Sequence, residues 1–348
     1  METDKTIIQE LERIVGKPIP SVKDIFNEKV GILLDQDEKV ISLNLKYCGL
    51  SRVPEILFQL KSLQSLNLSY NQLTALPESF SNLKSLQRLD LGDNQLKNLP
   101  KSFNKLDSLH TLNLGGNQLT IPKSFSDLKS LRILDLSVSH LKTLPEFIGN
   151  LKSLQKLYLF NNGLTTLPES FGELNSLQIL NLGSNHLTTL PESFGDLKSL
   201  QHLSLQVNQL TILPESFGNL TSLQSLLLSY NQLTALPESF GNLQSLQTLD
   251  LNFNQLGALP KSIYRLRLLE TLWLSHNQLK TLSESLSNLS LLRELYMNNN
   301  QFTTLPKSLL SLSNLKEIDL VKNPLNKGES ELLGKLEAKG IKIYIIPF

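Results

Sequence analysis

Residues 86–106 read LQRLDLGDNQLKNLPKSFNKL, and this stretch contains the pattern on which most of the chain is built. Leu89 and Leu91 alternate with polar neighbours, as in a short β-strand that has one buried face. Asn94 follows three residues later, and a buried asparagine offers two N–H donors and an oxygen acceptor. We therefore expect Asn94 to bind backbone groups that are left open where the chain bends away from the strand.

The second half of the stretch predicts a return segment without a long helix. Pro100 biases Leu99 toward extended geometry and interrupts regular pairing. Phe103 and Leu106 then point back toward the interior. Elsewhere the equivalent segment is often Pro-Glu-Ser-Phe-Gly-Asn-Leu, which is short and rich in Ser, Gly and Pro. We expect loops or a single helical turn on this side, opposite the strands.

The pattern LxxLxLxxNxLxxLPxxF recurs with a 23-residue period, and only the step from Leu109 to Leu131 is one residue shorter. Thirteen repeats begin at Val40, Leu63, Leu86, Leu109, Leu131, Leu154, Leu177, Leu200, Leu223, Leu246, Leu269, Leu292 and Leu315. The pattern resembles the leucine-rich repeat family and is similar to its bacterial and plant intracellular members. The resemblance implies an α/β solenoid, a horseshoe with a parallel inner β-sheet, convex loops or short helical turns, and caps at both ends.

Both ends carry predicted capping elements, because terminal strands otherwise leave open edges. Residues 4–15 place Ile7, Ile8, Leu11, Ile14 and Val15 on one helical stripe. A membrane-surface helix is the alternative, but its polar face is not basic, so packing on the repeats is favoured. Residues 31–34 and 40–45 predict a hairpin. Residues 329–339 predict a helix stopped by Gly340, followed by a strand over 341–346.

These elements divide the chain into an N-terminal cap at residues 1–39, thirteen repeats at 40–325 and a C-terminal cap at 326–348. We expect the chain to be complete as it stands. The net charge of +1 gives no reason to expect nucleic acid, and no segment has the length of a membrane span. Cys48 is the single cysteine, so an intramolecular disulfide is excluded and a cytoplasmic setting is expected. Export by a route without a cleaved signal stays open.

Function should lie where the repeat does not dictate the residue. When the leading residue of each repeat is counted as position one, these places are the inner-face positions three, five, seven and eight. Position five is usually Asn or Asp, and position eight also varies. The residues that depart from the pattern, and that we predict as partner-binding, are Tyr158, Phe160, Leu227, Tyr230, Phe253, Trp273, His276 and Tyr296. Repeats nine to twelve bring six of them within about three strand spacings, roughly 15 Å. A contiguous exposed apolar group predicts an interaction site, and Trp and Tyr are enriched at binding hot spots.

A structural interpretation of these aromatics stays open beside the functional one. Tyr70 and Tyr230 occur in identical segments, which is consistent with recent repeat duplication. Aromatic side chains on one face of a sheet also pack laterally and stabilise it.

A second irregularity lies at repeats four and five. One repeat step is shortened around Ile121, and Ser139 replaces the asparagine that recurs at position nine, here called the ladder asparagine. These two changes predict a local change of curvature or twist, while sequence drift remains the alternative.

No arrangement of residues indicates an enzyme, a metal site or a cofactor. Cys48 takes the ladder-asparagine position and is expected to be a buried, inert thiol. The five histidines fall in five separate repeats without metal-ligand spacing. Asp90 and Asp135 are separated by a repeat that carries Asn113, too far apart for an acid pair.

Two binding functions remain. A non-enzymatic scaffold for an unidentified protein partner is what the resemblance implies for most of the family. The alternative is recognition of a glycan or small ligand by stacking on Trp273 and Tyr296, including a role as an exported host- or surface-binding factor. The sequence does not indicate an oligomeric state.

Overall fold

A computed structural model describes residues 3–23 and 30–345 of the chain. Its contacts group into two units, Met1–Gly163 and Leu164–Phe348. Within each unit, most repeats consist of one three-residue strand, a turn and one five-residue 3-10 helix. The first repeat has a longer strand and the last has a shorter 3-10 helix. The repeat plan predicted from residues 86–106 is therefore confirmed, and the returning segment forms a single helical turn.

The first unit begins with helix α1 (Asp4–Val15) and an antiparallel pair of strands, β1 (Gly31–Leu34) and β2 (Val40–Asn44). The following strands pair in parallel with their chain neighbours from β2 onward. They are β3 (Ser65–Asn67), β4 (Arg88–Asp90), β5 (Thr111–Asn113), β6 (Ile133–Asp135) and β7 (Lys156–Tyr158). The 3-10 helices are Glu55–Gln59, Glu78–Asn82, Lys101–Lys105, Lys123–Asp127 and Glu146–Asn150.

The second unit repeats this plan, and its strands also pair in parallel in chain order. They are β8 (Ile179–Asn181), β9 (His202–Ser204), β10 (Ser225–Leu227), β11 (Thr248–Asp250), β12 (Thr271–Trp273), β13 (Glu294–Tyr296), β14 (Glu317–Asp319) and β15 (Lys342–Tyr344). The 3-10 helices are Glu169–Glu173, Glu192–Asp196, Glu215–Asn219, Glu238–Asn242, Lys261–Arg265, Glu284–Asn288, Lys307–Ser311 and Lys327–Glu329, and helix α2 is Ser330–Ala338.

The returning segments of the second unit stack closely. Phe171, Phe194, Phe217 and Phe240 are buried, with successive ring centroids 6.1–6.2 Å apart and planes within 2°. The glycine after each phenylalanine allows this approach. A Cβ on Gly218 would lie 2.3 Å from the carbonyl oxygen of the next repeat's serine. The Phe-Gly pair of the repeat is thus dictated by stacking.

The asparagine at position nine links successive repeats, as predicted. Asn254 Nδ2 donates to the carbonyl oxygens of Leu228 and Leu251 at 3.0 and 3.1 Å, and its Oδ1 accepts from Leu233 N–H at 3.0 Å. Buried backbone groups would otherwise lack partners, and each such loss costs about 1–3 kcal/mol. These asparagines are structural.

The two repeats without a ladder asparagine share an altered turn. Position ten is left-handed in both, at Gly49 (φ 67°) and His140 (φ 56°). In the irregular repeat five, the next repeat's Asn162 Oδ1 accepts from both Ser139 and Leu141 N–H at 3.0 Å. The hydrogen bonds of the turn therefore differ in repeat five, where the sequence predicted an irregularity. A change of curvature or twist at this repeat stays a prediction.

Cys48 is less buried than the sequence predicted. Its side chain is half-buried instead of buried, and burial raises the pKa of its thiol. The small thiol does not fill the place of an asparagine, and its Sγ–H points to the carbonyl of Lys46 at 3.6 Å.

Helix α1 spans the predicted residues, begins at the Thr3 cap and ends at the left-handed Gly16. It buries Ile7, Ile8 and Leu11, whereas Ile14 is 49% exposed, so the apolar stripe is shorter than expected.

At the other end α2 buries Leu333 and Leu336, and Gly340 (φ 81°) follows its end. The predicted final strand is present at Lys342–Tyr344, while Ile346 lies outside the described residues. In the described ranges, neither helix has the length and apolar character needed to cross a bilayer.

Candidate binding face

Position five forms a continuous row on the strands of the second unit. The parallel register places Leu227 beside Asp250, Asp250 beside Trp273, and Trp273 beside Tyr296. Neighbouring strands lie about 4.8 Å apart, so these four side chains occupy a stretch of roughly 15 Å. The structure therefore brings Leu227, Trp273 and Tyr296 into one row, with a carboxylate between the first two.

Position eight has an unusual backbone. In every repeat the residue there has a positive φ, between 52° and 69°. Gly116, Asn161 and Asn299 suit this left-handed conformation, but bulky side chains at such a position cost about 1–2 kcal/mol. In the second unit Val207, Tyr230, Phe253 and His276 occupy position eight of four successive repeats.

The rings at position eight stack on one another. Tyr230 and Phe253 have centroids 4.2 Å apart and planes 8° apart, and Phe253 and His276 are 4.0 Å and 12° apart. Asn299 Nδ2 continues the row at 3.2 Å from His276 Nε2. Tyr230 nevertheless remains 53% exposed and Phe253 37% exposed. The rings pack laterally, as the structural interpretation expected, and still present apolar surface to solvent.

Val207 occupies position eight one repeat before Tyr230 and was not predicted from the sequence. It donates its N–H to Ser229 O at 2.9 Å and is 50% exposed. Its signal in the sequence was an apolar residue at position eight directly before the run of Tyr230, Phe253 and His276.

Trp273 and Tyr296 form a second pair of rings at position five. Their centroids are 6.4 Å apart and their planes are tilted by 37°. Tyr296 Oη donates to Glu317 Oε1 at 3.0 Å. Burial of the phenol, this hydrogen bond and the nearby Glu294 carboxylate raise the pKa of Tyr296 to about 12. Acidic side chains therefore surround this end of the face.

Asn and Asp at position five have a local structural role that the sequence did not reveal. Their Oδ1 accepts the N–H of position seven, as Asp90 does from Gly92 at 2.9 Å and Asn181 from Gly183 at 3.0 Å. Leucine has no polar atom for this bond. Trp273 also lacks an acceptor, although Asn252 Oδ1 of the preceding repeat accepts from Ser275 N–H at 2.7 Å. A neutral hydrogen bond of this kind contributes about 1 kcal/mol.

Asp250 lies in the middle of the apolar row. It is only 7% exposed, and its Oδ1 accepts from Asn252 N–H at 3.0 Å. Within residues 3–23 and 30–345, no Lys, Arg or His nitrogen approaches its carboxylate within 4.0 Å. Buried carboxylates are normally paired with a cation or fully hydrogen-bonded.

Tyr158 and Phe160 are not members of this group, because Tyr158 is the last residue of β7 and Phe160 follows it, both in the first unit. Tyr158 is half-buried and Phe160 is 43% exposed. The first unit also holds a stacked pair at position eight, Tyr47 and Tyr70, with centroids 4.6 Å apart and Lys46 Nζ near both rings.

The face offers contact surface and hydrogen-bonding groups. The described side chains contain no group of three or more His, Cys, Asp or Glu suited to a metal ion. The histidines lie apart, with His186 beside Gln209 at 3.3 Å and His276 within the ring stack. The arrangement of Leu227, Tyr230, Phe253, Trp273 and Tyr296 is suited to binding by apolar contact.

The leucine-rich repeat region family model matches residues 123–209, 147–231, 172–256 and 215–338. A second leucine-rich repeat model matches residues 38–96 and 77–119. No curated protein sequence gives a match.

Several solved structures have the same fold. A leucine-rich repeat protein of Leptospira interrogans is 31% identical, with a TM-score of 0.67, and the match covers 86% of this chain and 94% of that one. An internalin of Listeria monocytogenes is 24% identical with a TM-score of 0.77, over 99% of this chain and 96% of the internalin. The Arabidopsis receptor kinase HAESA, in complex with the peptide hormone IDA and the co-receptor SERK1, is 32% identical with a TM-score of 0.75, over 93% of this chain and 58% of that one.

Proposed function

The chain belongs to the leucine-rich repeat family, and we propose that it is a non-enzymatic scaffold that binds a protein partner. The proposed site, here called the aromatic face, consists of Leu227, Tyr230, Phe253, Trp273, His276 and Tyr296. Tyr158 and Phe160 are proposed as a separate contact in the first unit. Val207 is added to the aromatic face because it is an exposed apolar residue at position eight of the repeat before Tyr230.

The observation that carries the proposal is that apolar side chains occupy positions where the repeat favours other residues. Tyr230 and Phe253 remain exposed there, and Leu227, Trp273 and Tyr296 remain half-buried. Leu227 and Tyr296 replace the Asn or Asp that would accept a backbone N–H, and Tyr230 and Phe253 adopt a left-handed backbone. Ring stacking contributes about 0.5–1.5 kcal/mol per pair and offsets part of this loss. The remaining exposed apolar group is typical of an interaction surface.

The similar structures support binding of a polypeptide. HAESA is 32% identical and its structure contains a peptide hormone and a co-receptor. The absence of an evident catalytic arrangement in the sequence favours a scaffold over an enzyme.

The test is differential capture from the native lysate with immobilised protein, followed by mass spectrometry. Trp273→Ala with Phe253→Ala should lose captured proteins that the wild type retains, while its circular dichroism spectrum stays unchanged. Tyr47→Ala with Tyr70→Ala removes another exposed stacked pair and is the matched control, which should capture as the wild type does. Equal capture by all three proteins would contradict the proposal.

Glycan recognition is the second candidate, because rings beside carboxylates, as at Trp273, Tyr296 and Glu294, are also suited to stacking and hydrogen bonding with a sugar. Trp273 is the chain's single tryptophan, so its fluorescence reports directly on this site. A saturable change with cell-wall sugars would favour the glycan, and no change would favour the protein partner.

The ends and the location are part of the same proposal. Residues 1–39 and 326–348 are proposed as caps of the repeats at 40–325. A cytoplasmic location is proposed because a single cysteine requires no oxidising compartment. Thermal unfolding of a chain lacking residues 1–39 tests the cap, and fractionation of the native cells tests the location.

A further inference from the structure

The aromatic face contains a buried carboxylate that lacks a cation. Asp250 is flanked in its row by the aliphatic Leu227 and the aromatic Trp273. Among the described residues, the one hydrogen bond of its carboxylate is accepted by Oδ1 from Asn252 N–H, and the residue as a whole is only 7% exposed. Such a group is poorly solvated, and pairing it with a cation would recover the interaction energy that water no longer supplies.

The strands around Asp250 have a one-sided charge. Positions three and five of β10–β14 carry Asp250, Glu294, Glu317 and Asp319, and no basic residue. Lys342, on β15, lies with its Nζ 4.0 Å from Glu317 Oε2 and 4.4 Å from the centroid of the Tyr344 ring. Burial of the phenol is the largest cause of the raised pKa of Tyr296, and the hydrogen bond to Glu317 and the Glu294 carboxylate add to it. A partner that covers these strands should therefore bring positive charge.

We infer that the partner is a polypeptide segment anchored by an arginine, whose guanidinium lies on Trp273 and pairs with Asp250. The inference rests on the proposed function and names the chemistry of the partner. Trp273 is adjacent to Asp250 on the side away from Leu227, so one side chain can contact the indole and the carboxylate together.

Arginine fits this pair better than lysine does. Its planar guanidinium can stack on an indole and donate two parallel hydrogen bonds to a carboxylate. Arginine and tryptophan also form the most frequent and strongest cation–π pairs in proteins. Glu294 lies on β13 beside the same tryptophan row and adds to the attraction.

The experiment titrates the full chain with the peptide acetyl-Leu-Arg-Leu-amide and follows the fluorescence of Trp273. The leucines of the probe match the apolar side chains of Leu227 and Tyr296. The same peptide with citrulline in place of arginine keeps the shape and removes the charge. We expect a saturable change with the arginine peptide and at least about tenfold weaker binding of the citrulline peptide.

Asp250→Asn is the decisive variant, because asparagine keeps the hydrogen bond to the position-seven N–H, as Asn181 does in its repeat. It should bind the arginine peptide at least about tenfold more weakly than the wild type. Asp135→Asn is the matched control, since Asp135 accepts Ser137 N–H at 2.8 Å in the same way but lies in the first unit. It should bind as the wild type does.

Three results would overturn the inference: equal binding of both peptides, undiminished binding by Asp250→Asn, or no saturable change with the arginine peptide. If differential capture still depends on Trp273 and Phe253, the proposed function stands and only the arginine anchor fails. If capture is also independent of these two residues, the proposed function fails as well.

Discussion

The interiors of the two units, each taken by itself, are built from the same kinds of residue, and their inner faces differ. In the first unit, position five of β2–β6 is an unbroken row of Asn and Asp, and each side chain accepts the N–H two residues later. In the second unit, β10–β13 carry Leu227, Asp250, Trp273 and Tyr296 instead. The ladder asparagines and buried leucines are the same in both. The comparison therefore shows that stacking of the repeats dictates the interior residues and leaves the residues of the inner face free to vary.

The aromatic residues at position eight teach a more limited lesson. Tyr47 and Tyr70 in the first unit stack at 4.6 Å, much as Tyr230 and Phe253 do in the second at 4.2 Å. Stacked rings at position eight therefore occur in both units. In the first unit the position-five row is polar, and in the second unit it is largely apolar. The position-five row distinguishes the aromatic face from an ordinary stack.

The largest expected effect tests whether the interior is equivalent in the two units. Asn94→Ala and Asn254→Ala each remove hydrogen bonds to three carbonyls and one N–H in matching geometry. Both variants should lose about 3 kcal/mol or more of unfolding free energy, because buried backbone groups lose their partners. Urea unfolding followed by circular dichroism measures this. A loss in only one unit would break the comparison.

A smaller effect is expected where the first unit departs from its own pattern. Ser139→Asn supplies an oxygen that can accept Leu119 N–H, as Asn117 Oδ1 accepts from Leu96 N–H at 3.0 Å. The variant should gain about 1 kcal/mol of unfolding free energy. Thermal and urea unfolding measure the gain. Destabilisation would mean that the shortened repeat cannot accommodate an asparagine.

Tyr230→Asn and Tyr70→Asn compare the two ring stacks directly. Each variant loses ring contacts worth about 0.5–1.5 kcal/mol and relieves a left-handed strain of about 1–2 kcal/mol. Both should stay within about 1 kcal/mol of wild-type stability, since the two effects are similar in size. Only Tyr230→Asn should weaken partner capture. A loss of stability well above this range would favour lateral packing as the role of the stack.

The smallest effect concerns Tyr296, whose pKa is raised from 10.0 to about 12. The unfolded chain loses this phenolic proton first, so the contribution to stability is present below pH 10 and is lost as the pH rises through 12. Tyr296→Phe should therefore lose less stability than the wild type over this range. Urea unfolding at pH 9 and pH 11.5 measures the difference. An identical loss would show that neither the burial of the phenol nor the Glu317 and Glu294 carboxylates raise the pKa of Tyr296.

Most of the fold could be predicted from the repeat. The helix at Asp4–Val15, the hairpin of β1 and β2, and the roles of Asn94 and Phe103 follow from periodicity and residue chemistry. The exposure of Ile14 and the half-burial of Cys48 depend on the shape of the neighbouring elements, which the repeat does not encode.

The candidate site was less accessible to sequence reasoning. Departures from the repeat pattern identified Trp273 and Phe253. The left-handed backbone at position eight could not be predicted, because many residue types occupy that position and glycine is found there only once. The burial of Asp250 depends on the size of Leu227 and Trp273 beside it. The repeat treats Asp250 as an ordinary position-five residue, so only the structure reveals a carboxylate between apolar side chains.

Hydroxyl-radical footprinting of the chain with and without its captured partner tests the central claim most directly, because aromatic side chains are modified wherever they are exposed. Tyr230, Phe253 and Trp273 should be protected in the complex, while Tyr47 and Tyr70, which are 58% and 43% exposed, should be modified as in the free chain. Protection of Tyr47 and Tyr70 with unchanged modification of Trp273 and Phe253 would contradict the aromatic face as the binding site.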